Sequence, residues 1–176
     1  MNYRLYSFAM GHYIKEIQWG IQTAHGATQM IGRALAAHIE NPVDTEVLAK
    51  CLQLADWSVP GRSNGATVIV CDVINYQGLH DVIDNMKPLA DLLMMPFEIF
   101  KEDFASLGGL ITNVAVLVPD ALYDVIDVID TLNPGCDAYA LNPEVAKRLG
   151  EPGVTYSVGT PEHAMIKMLK SYKLVK

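Results

Sequence analysis

Residues 14–38 read Ile14-Lys15-Glu16-Ile17-Gln18-Trp19-Gly20-Ile21-Gln22-Thr23-Ala24-His25-Gly26-Ala27-Thr28-Gln29-Met30-Ile31-Gly32-Arg33-Ala34-Leu35-Ala36-Ala37-His38. Ile17, Ile21, Ala24, Ile31 and Leu35 recur at the spacing of one helical stripe, which marks a core-facing side. At 100° per residue, Gln18, Gln22, His25 and Gln29 fall within an arc of about 60°. Trp19, Ala27, Met30 and Ala34 lie away from the isoleucine stripe. An ordinary solvated face carries Lys and Glu. Uncharged amides and one imidazole on an otherwise apolar helix instead predict a pocket wall that orients a ligand by hydrogen bonds. The competing reading is a satisfied internal network or a subunit contact.

Outward from this helix, the flanking elements set the fold class. Upstream, Tyr3 to Met10 reads as a strand. Downstream, Asn41-Pro42 ends the helix and Asp44 can cap a second one running to about Trp57. Ala66 to Val73 is a continuous apolar run, expected as a central strand covered on both faces. A helix from Gln77 to Met94, bent or interrupted at Pro88, leads to a short strand from Phe97 to Lys101. A glycine-bearing loop spans Glu102 to Thr112, followed by a buried strand from Asn113 to Val118 and a helix from Asp120 to Leu132. After Asn133-Pro134-Gly135 come a short helix from Pro143, a strand from Val154 to Val158 and a last helix from Pro161. The order predicts a single α/β domain over 1–176, a sandwich built on a mixed sheet of four main strands. Residues 1–132 form its core, and 133–176 an insertion with a small β-α extension.

Composition excludes several classes. The 176 residues are 51% hydrophobic and carry a formal net charge of −7, so the chain is globular and suits general nucleic-acid binding poorly. No apolar run reaches the ~18 residues that span a bilayer. The opening residues read directly into a strand without a secretory leader, and three scattered cysteines argue against a disulfide framework, so a cytoplasmic setting is expected. The apolar content and a helix apolar over most of its circumference predict a homodimer.

Other candidates have bland readings. Asp120, Asp124, Asp127 and Asp130 suit a solvated helix face, and Cys71 suits core packing. His80 and His163 have no ligand-spaced partners, so neither a metal nor a cofactor is expected. Thr160 before Pro161 is a helix cap.

The run Trp19-Gly20-Ile21-Gln22-Thr23-Ala24-His25-Gly26-Ala27 resembles the I-A-A-Q-x-A-H-A-A helix of the type-2 peptidyl-tRNA hydrolase family. The loop from Phe100 through Asp103 to Thr112, and the ending from Val158-Gly159-Thr160-Pro161 to Lys173-Leu174-Val175, are similar to that family's loop and ending. The resemblance implies that family's α/β fold. The family's catalytic lysine falls on Gln18, with Lys15 the nearest substitute. Its loop aspartate falls on Glu102, or on Asp103 with a shift of one, and its threonines fall on Ser106 and Thr112. If the chain is an active hydrolase, Lys15, His25, Glu102, Asp103 and Ser106 carry the chemistry. Loss of a positioned oxyanion donor typically costs on the order of 10²–10³ in rate. The expectation is therefore a binding protein with a degenerate hydrolase-like cleft holding a small, nucleotide-like ligand. Gln18, Gln22, His25 and Gln29 form one wall, and Glu102, Ser106 and Thr112 the other. By analogy, a bacteriophage could use such a protein to sequester a host nucleotide signal.

Overall fold

The structure, a computed structural model, describes residues 3–10, 16–59, 67–103, 105, 108–120, 138–140, 155–157 and 159–174. In chain order these form β1 (Tyr3–Met10), α1 (Glu16–Glu40), α2 (Thr45–Ser58), β2 (Thr67–Val73), α3 (Tyr76–Leu92), β3 (Phe97–Lys101), β4 (Ile111–Pro119), β5 (Ala138–Ala140), β6 (Thr155–Ser157), α4 (Pro161–Ser171) and β7 (Lys173–Leu174). The main sheet runs β3-β4-β1-β2-β7, and β5 pairs with β6 in a separate ribbon. β1 is parallel to β2 and antiparallel to β4, while β3 and β7 add antiparallel edges. The architecture is a mixed α/β sandwich.

Strand alternation divides the core between two faces. Leu5, Ala115 and Leu117 meet Met30, Leu54 and Trp57 from α1 and α2. Phe8, Val114 and Val116 turn the other way, onto Leu79 and Met86 of α3 and Met165 and Ile166 of α4. Caps fix two helix starts: Asp44 accepts from the N–H groups of Glu46 and Val47, and Thr160 accepts from that of His163 ahead of Pro161. α3 continues through Pro88, uninterrupted. Pro88 and Asp84, whose carbonyl it leaves without a helical donor, both lie on the exposed side, where water can serve.

Two expectations are corrected. β2 is not the central strand: β1 is, and β2 lies between it and the two-residue β7, which among the described residues is the neighbour on its outer side. Its first residues, Thr67 and Val68, are exposed. An apolar run specifies burial only where neighbours cover it, and here cover reaches the Cys71–Val73 end. Nor does the isoleucine stripe of α1 face the core. Ile17, Ile21, Ile31 and Leu35 are 76%, 47%, 36% and 54% exposed. The sheet receives Thr23, Gly26, Ala27, Met30 and Ala34 instead. Small side chains let the helix settle closely on the strands, and the polar groups of β1 and β4 require polar partners above them. The helices read from Asp120 and Pro143 lie outside the described residues, apart from Asp120 itself.

Cys51 and Cys71 are free thiols. Burial pushes the Cys71 thiol up to about 12, so it is a packing group and not a nucleophile. No helix among the described residues is long and apolar enough to cross a membrane.

Candidate functional site

Edge strand β3 and helix α1 meet in a series of matched contacts. The two-residue period of the strand turns Glu98, Phe100 and Glu102 toward the helix. Gln29, His25 and Gln22 meet them in that order, so α1 runs antiparallel to β3. Three or four residues along a helix advance ~5–6 Å, close to the ~7 Å of two residues along a strand, so the two spacings stay in step.

A bulge brings in a third element. Phe100 pairs with Asn113 but Lys101 pairs with Ile111, leaving Thr112 as an extra residue on β4. The extra residue reverses the alternation, so consecutive Thr112 and Asn113 both point at α1. The loop between the strands is closed by the Glu102 N–H donating to the Leu110 carbonyl at 2.9 Å. Gly108 and Gly109, at φ 64° and 75°, supply the left-handed backbone this closure requires.

The resulting cluster joins Gln22, Glu102 and Thr112. Gln22 Nε2 donates to Glu102 Oε1 at 2.6 Å. Thr112 Oγ1 lies 2.9 Å from Gln22 Oε1 and 3.4 Å from Glu102 Oε1. One hydroxyl carries one proton, so the shorter approach is the hydrogen bond and the longer one only holds the groups adjacent. The amide of Gln22 is thereby oriented, its nitrogen on the carboxylate and its oxygen on the hydroxyl. Glu102 is only half-buried, and its Oε2 takes no hydrogen bond among the described residues. Alongside, the exposed His25 ring sits 5.1 Å from Phe100 at 47°.

Beneath the cluster lies a buried polar layer. Ser7 and Thr23 share a 2.7 Å hydroxyl contact, and Asn113 Nδ2 donates to Ser7 Oγ at 2.7 Å. Gly26 packs on Asn113 so closely that a Cβ there would fall 2.4 Å from Oδ1. This layer fixes the height of α1 over the sheet and hence the depth of Gln22.

The sequence-derived residues divide clearly. Gln22, Glu102 and Thr112 come together. His25 stands at their rim, and Gln18 is exposed about one turn earlier on the helix. Gln29 belongs to a separate pair, donating to Glu98 Oε1 at 2.7 Å where Arg33 also binds at 3.0 Å. Burial raises the Glu98 carboxyl above its ordinary value, opposed by Arg33, by the Gln29 hydrogen bond and by the Ile99 N–H. Asp103 is exposed and accepts from the Ala105 N–H. Lys15 and Ser106 lie outside the described residues. Sequence reasoning missed Ser7, Thr23, Glu98, Phe100 and Asn113. A polar residue in the middle of an otherwise apolar strand was the available signal for Ser7 and Asn113.

Further along α1 a cavity of about 290 Å³ is walled mainly by Met30, Ala34, Leu54, Met95 and Phe97, with Arg33, Lys50 and Glu98 contributing charge. Among the described residues no group of three or more His, Cys, Asp or Glu side chains is arranged to hold a metal ion. No protein-family model matches the chain, and no curated protein matches it significantly.

Proposed function

We propose that the chain is a binding protein whose cleft at the head of α1 holds a small polar ligand bearing a nucleobase. The observation that carries this reading is the gathering of Gln22 with Glu102 and Thr112, separated from it by 80 and 90 positions, around a carboxylate with one oxygen uncommitted among the described residues. Glu102 Oε2 can accept from a ring N–H or exocyclic amine. The exposed His25 ring, backed by Phe100, offers a surface on which a base can stack. Turnover is less well supported. Among the described residues no Lys or Arg bonds to the cluster, so none of them supplies the cationic partner that a developing oxyanion would use.

The order β1-α1-α2-β2-α3-β3-loop-β4 supports reading the chain as a diverged relative of the type-2 peptidyl-tRNA hydrolases, its cleft reused for binding. Sequestration of a nucleotide signal, as in phage counter-defence, suits such a protein. Calorimetric titration with a panel of mono-, di- and cyclic nucleotides tests the reading. At least one member binds, and Gln22→Ala weakens it by about 1–3 kcal/mol because the Glu102 carboxylate loses its orienting donor. No binding across the panel contradicts the nucleobase assignment.

The carboxylate–hydroxyl approach of 3.4 Å also supports a second reading, hydrolysis of peptidyl-tRNA or a related ester. Turnover of peptidyl-tRNA at the rate of an ordinary member of that family would replace the first reading with this one.

A further inference from the structure

The exposed side of α1 has an internal symmetry that the fold does not use. Ile17, Ile21, Ala24, Thr28, Ile31 and Leu35 follow one another at intervals of four, three, four, three and four residues. This is the spacing of a helix–helix seam, and all six are exposed. The sequence is also symmetric in size. Ile17 and Leu35, Ile21 and Ile31, Ala24 and Thr28, and Gly20 and Gly32 are each centred on position 26. Two identical helices laid antiparallel along this seam place each residue opposite its counterpart of similar bulk. In heptad terms a positions meet d positions, the layering of an antiparallel pair.

The glycines supply an independent observation. Glycine is among the poorest helix formers, and Gly26 has an evident reason to be present, its approach to Asn113. Gly20 and Gly32 have none among the described residues, where a Cβ at either would meet nothing within 4 Å. Both lie beside the seam, where they would let a second backbone approach closely. Charge agrees as well. Between Ile17 and Ile39 the only Asp, Glu, Lys or Arg is Arg33, and it is bound to Glu98. A chain of net charge −7 can therefore meet its own copy here without opposing like charges at the contact. Leu48 and Leu52 of α2, 39% and 52% exposed, widen the patch. They flank Cys51, whose Sγ donates to the Ala34 carbonyl and so marks the side of α2 next to α1. A seam of this length with the α2 margin offers on the order of 500–800 Å² per copy, where stable two-fold interfaces begin.

We infer that the outer face of α1 is the interface of an antiparallel, two-fold homodimer centred level with position 26. Light scattering coupled to gel filtration at about 50 µM, a concentration suited to weak dimers, gives twice the chain mass of 19.3 kDa. Thr28→Arg gives the single-chain mass with an unchanged circular dichroism spectrum. A wild-type monomer at that concentration overturns the proposal, as does a Thr28→Arg variant that is still a dimer. Orientation is read by oxidising an equimolar mixture of Ala24→Cys and Thr28→Cys chains. The expected product is the mixed cross-linked pair, distinguished by mass. Cross-linked pairs of either variant with itself contradict the antiparallel arrangement.

Discussion

At the scale of single residues, Gly26 and Asn113 show how one close approach governs a neighbouring site. Asn113 Nδ2 is held by Ser7 Oγ and, at 3.3 Å, by the Phe8 carbonyl. Its Oδ1, without a hydrogen-bond partner among the described residues, is therefore pinned under the helix and cannot yield cheaply to a methyl group. Gly26→Ala gains up to ~1 kcal/mol of helix propensity but forces a clash that typically costs about 1–3 kcal/mol. The melting temperature should fall, and α1 should lift at Gln22. Gly20→Ala, placed in the Thr28→Arg background so that the proposed dimer contact does not enter, should raise it, because nothing among the described residues lies near its Cβ. Differential scanning calorimetry of the two variants checks the contrast. An equal response would mean that the helix does not sit on Asn113. Glycines in a helix announce a close approach, but the sequence does not say which of them has a neighbour.

At the scale of elements, the junction of α1 with β3 rests partly on a buried carboxylate. The folded-state value of Glu98 is raised, so between its ordinary and raised values the folded chain binds the proton that the unfolded chain has released. Stability from this group therefore rises as pH falls through that window and is lost as pH climbs above the raised value. Glu98→Gln keeps the shape without the charge. Relative to that variant, wild type should be least stable near neutral pH, and the gap should narrow on acidification toward the ordinary glutamate value. Urea unfolding of both chains at several pH values reads this directly; a gap that widens on acidification would reverse the sign. The helical and strand periods made α1, α2 and β3 legible, whereas the expectation that Gln22 and Glu102 share one cleft came from the resemblance to the type-2 peptidyl-tRNA hydrolases and not from either period. The bulge at Thr112 was not legible, because alternation read from sequence assigns Thr112 and Asn113 to opposite faces. The direction α1 faces was misread for a related reason. Isoleucine spacing identifies a stripe but not whether the sheet or another body covers it.

At the scale of the whole molecule, two packed faces organise the function proposed here. The inner face of α1 is set by buried hydroxyls and Asn113, and it delivers Gln22 to Glu102 and Thr112. The outer face is apolar and exposed, and the proposed dimer would cover it with a partner copy. The α/β class followed from the alternation of strands and helices, whereas the sheet order did not, since an apolar run such as Ala66–Val73 does not specify its neighbours. The central claim is that the α1–β3–β4 cleft holds a nucleobase-bearing ligand. Its most direct test is mass spectrometry of the small molecules released by heating purified wild type and Gln22→Ala protein. The expected result is one such compound from wild type, reduced at least about fivefold in the variant, as a loss of ~1 kcal/mol or more requires. A compound released equally from both, or none from wild type, would contradict the claim.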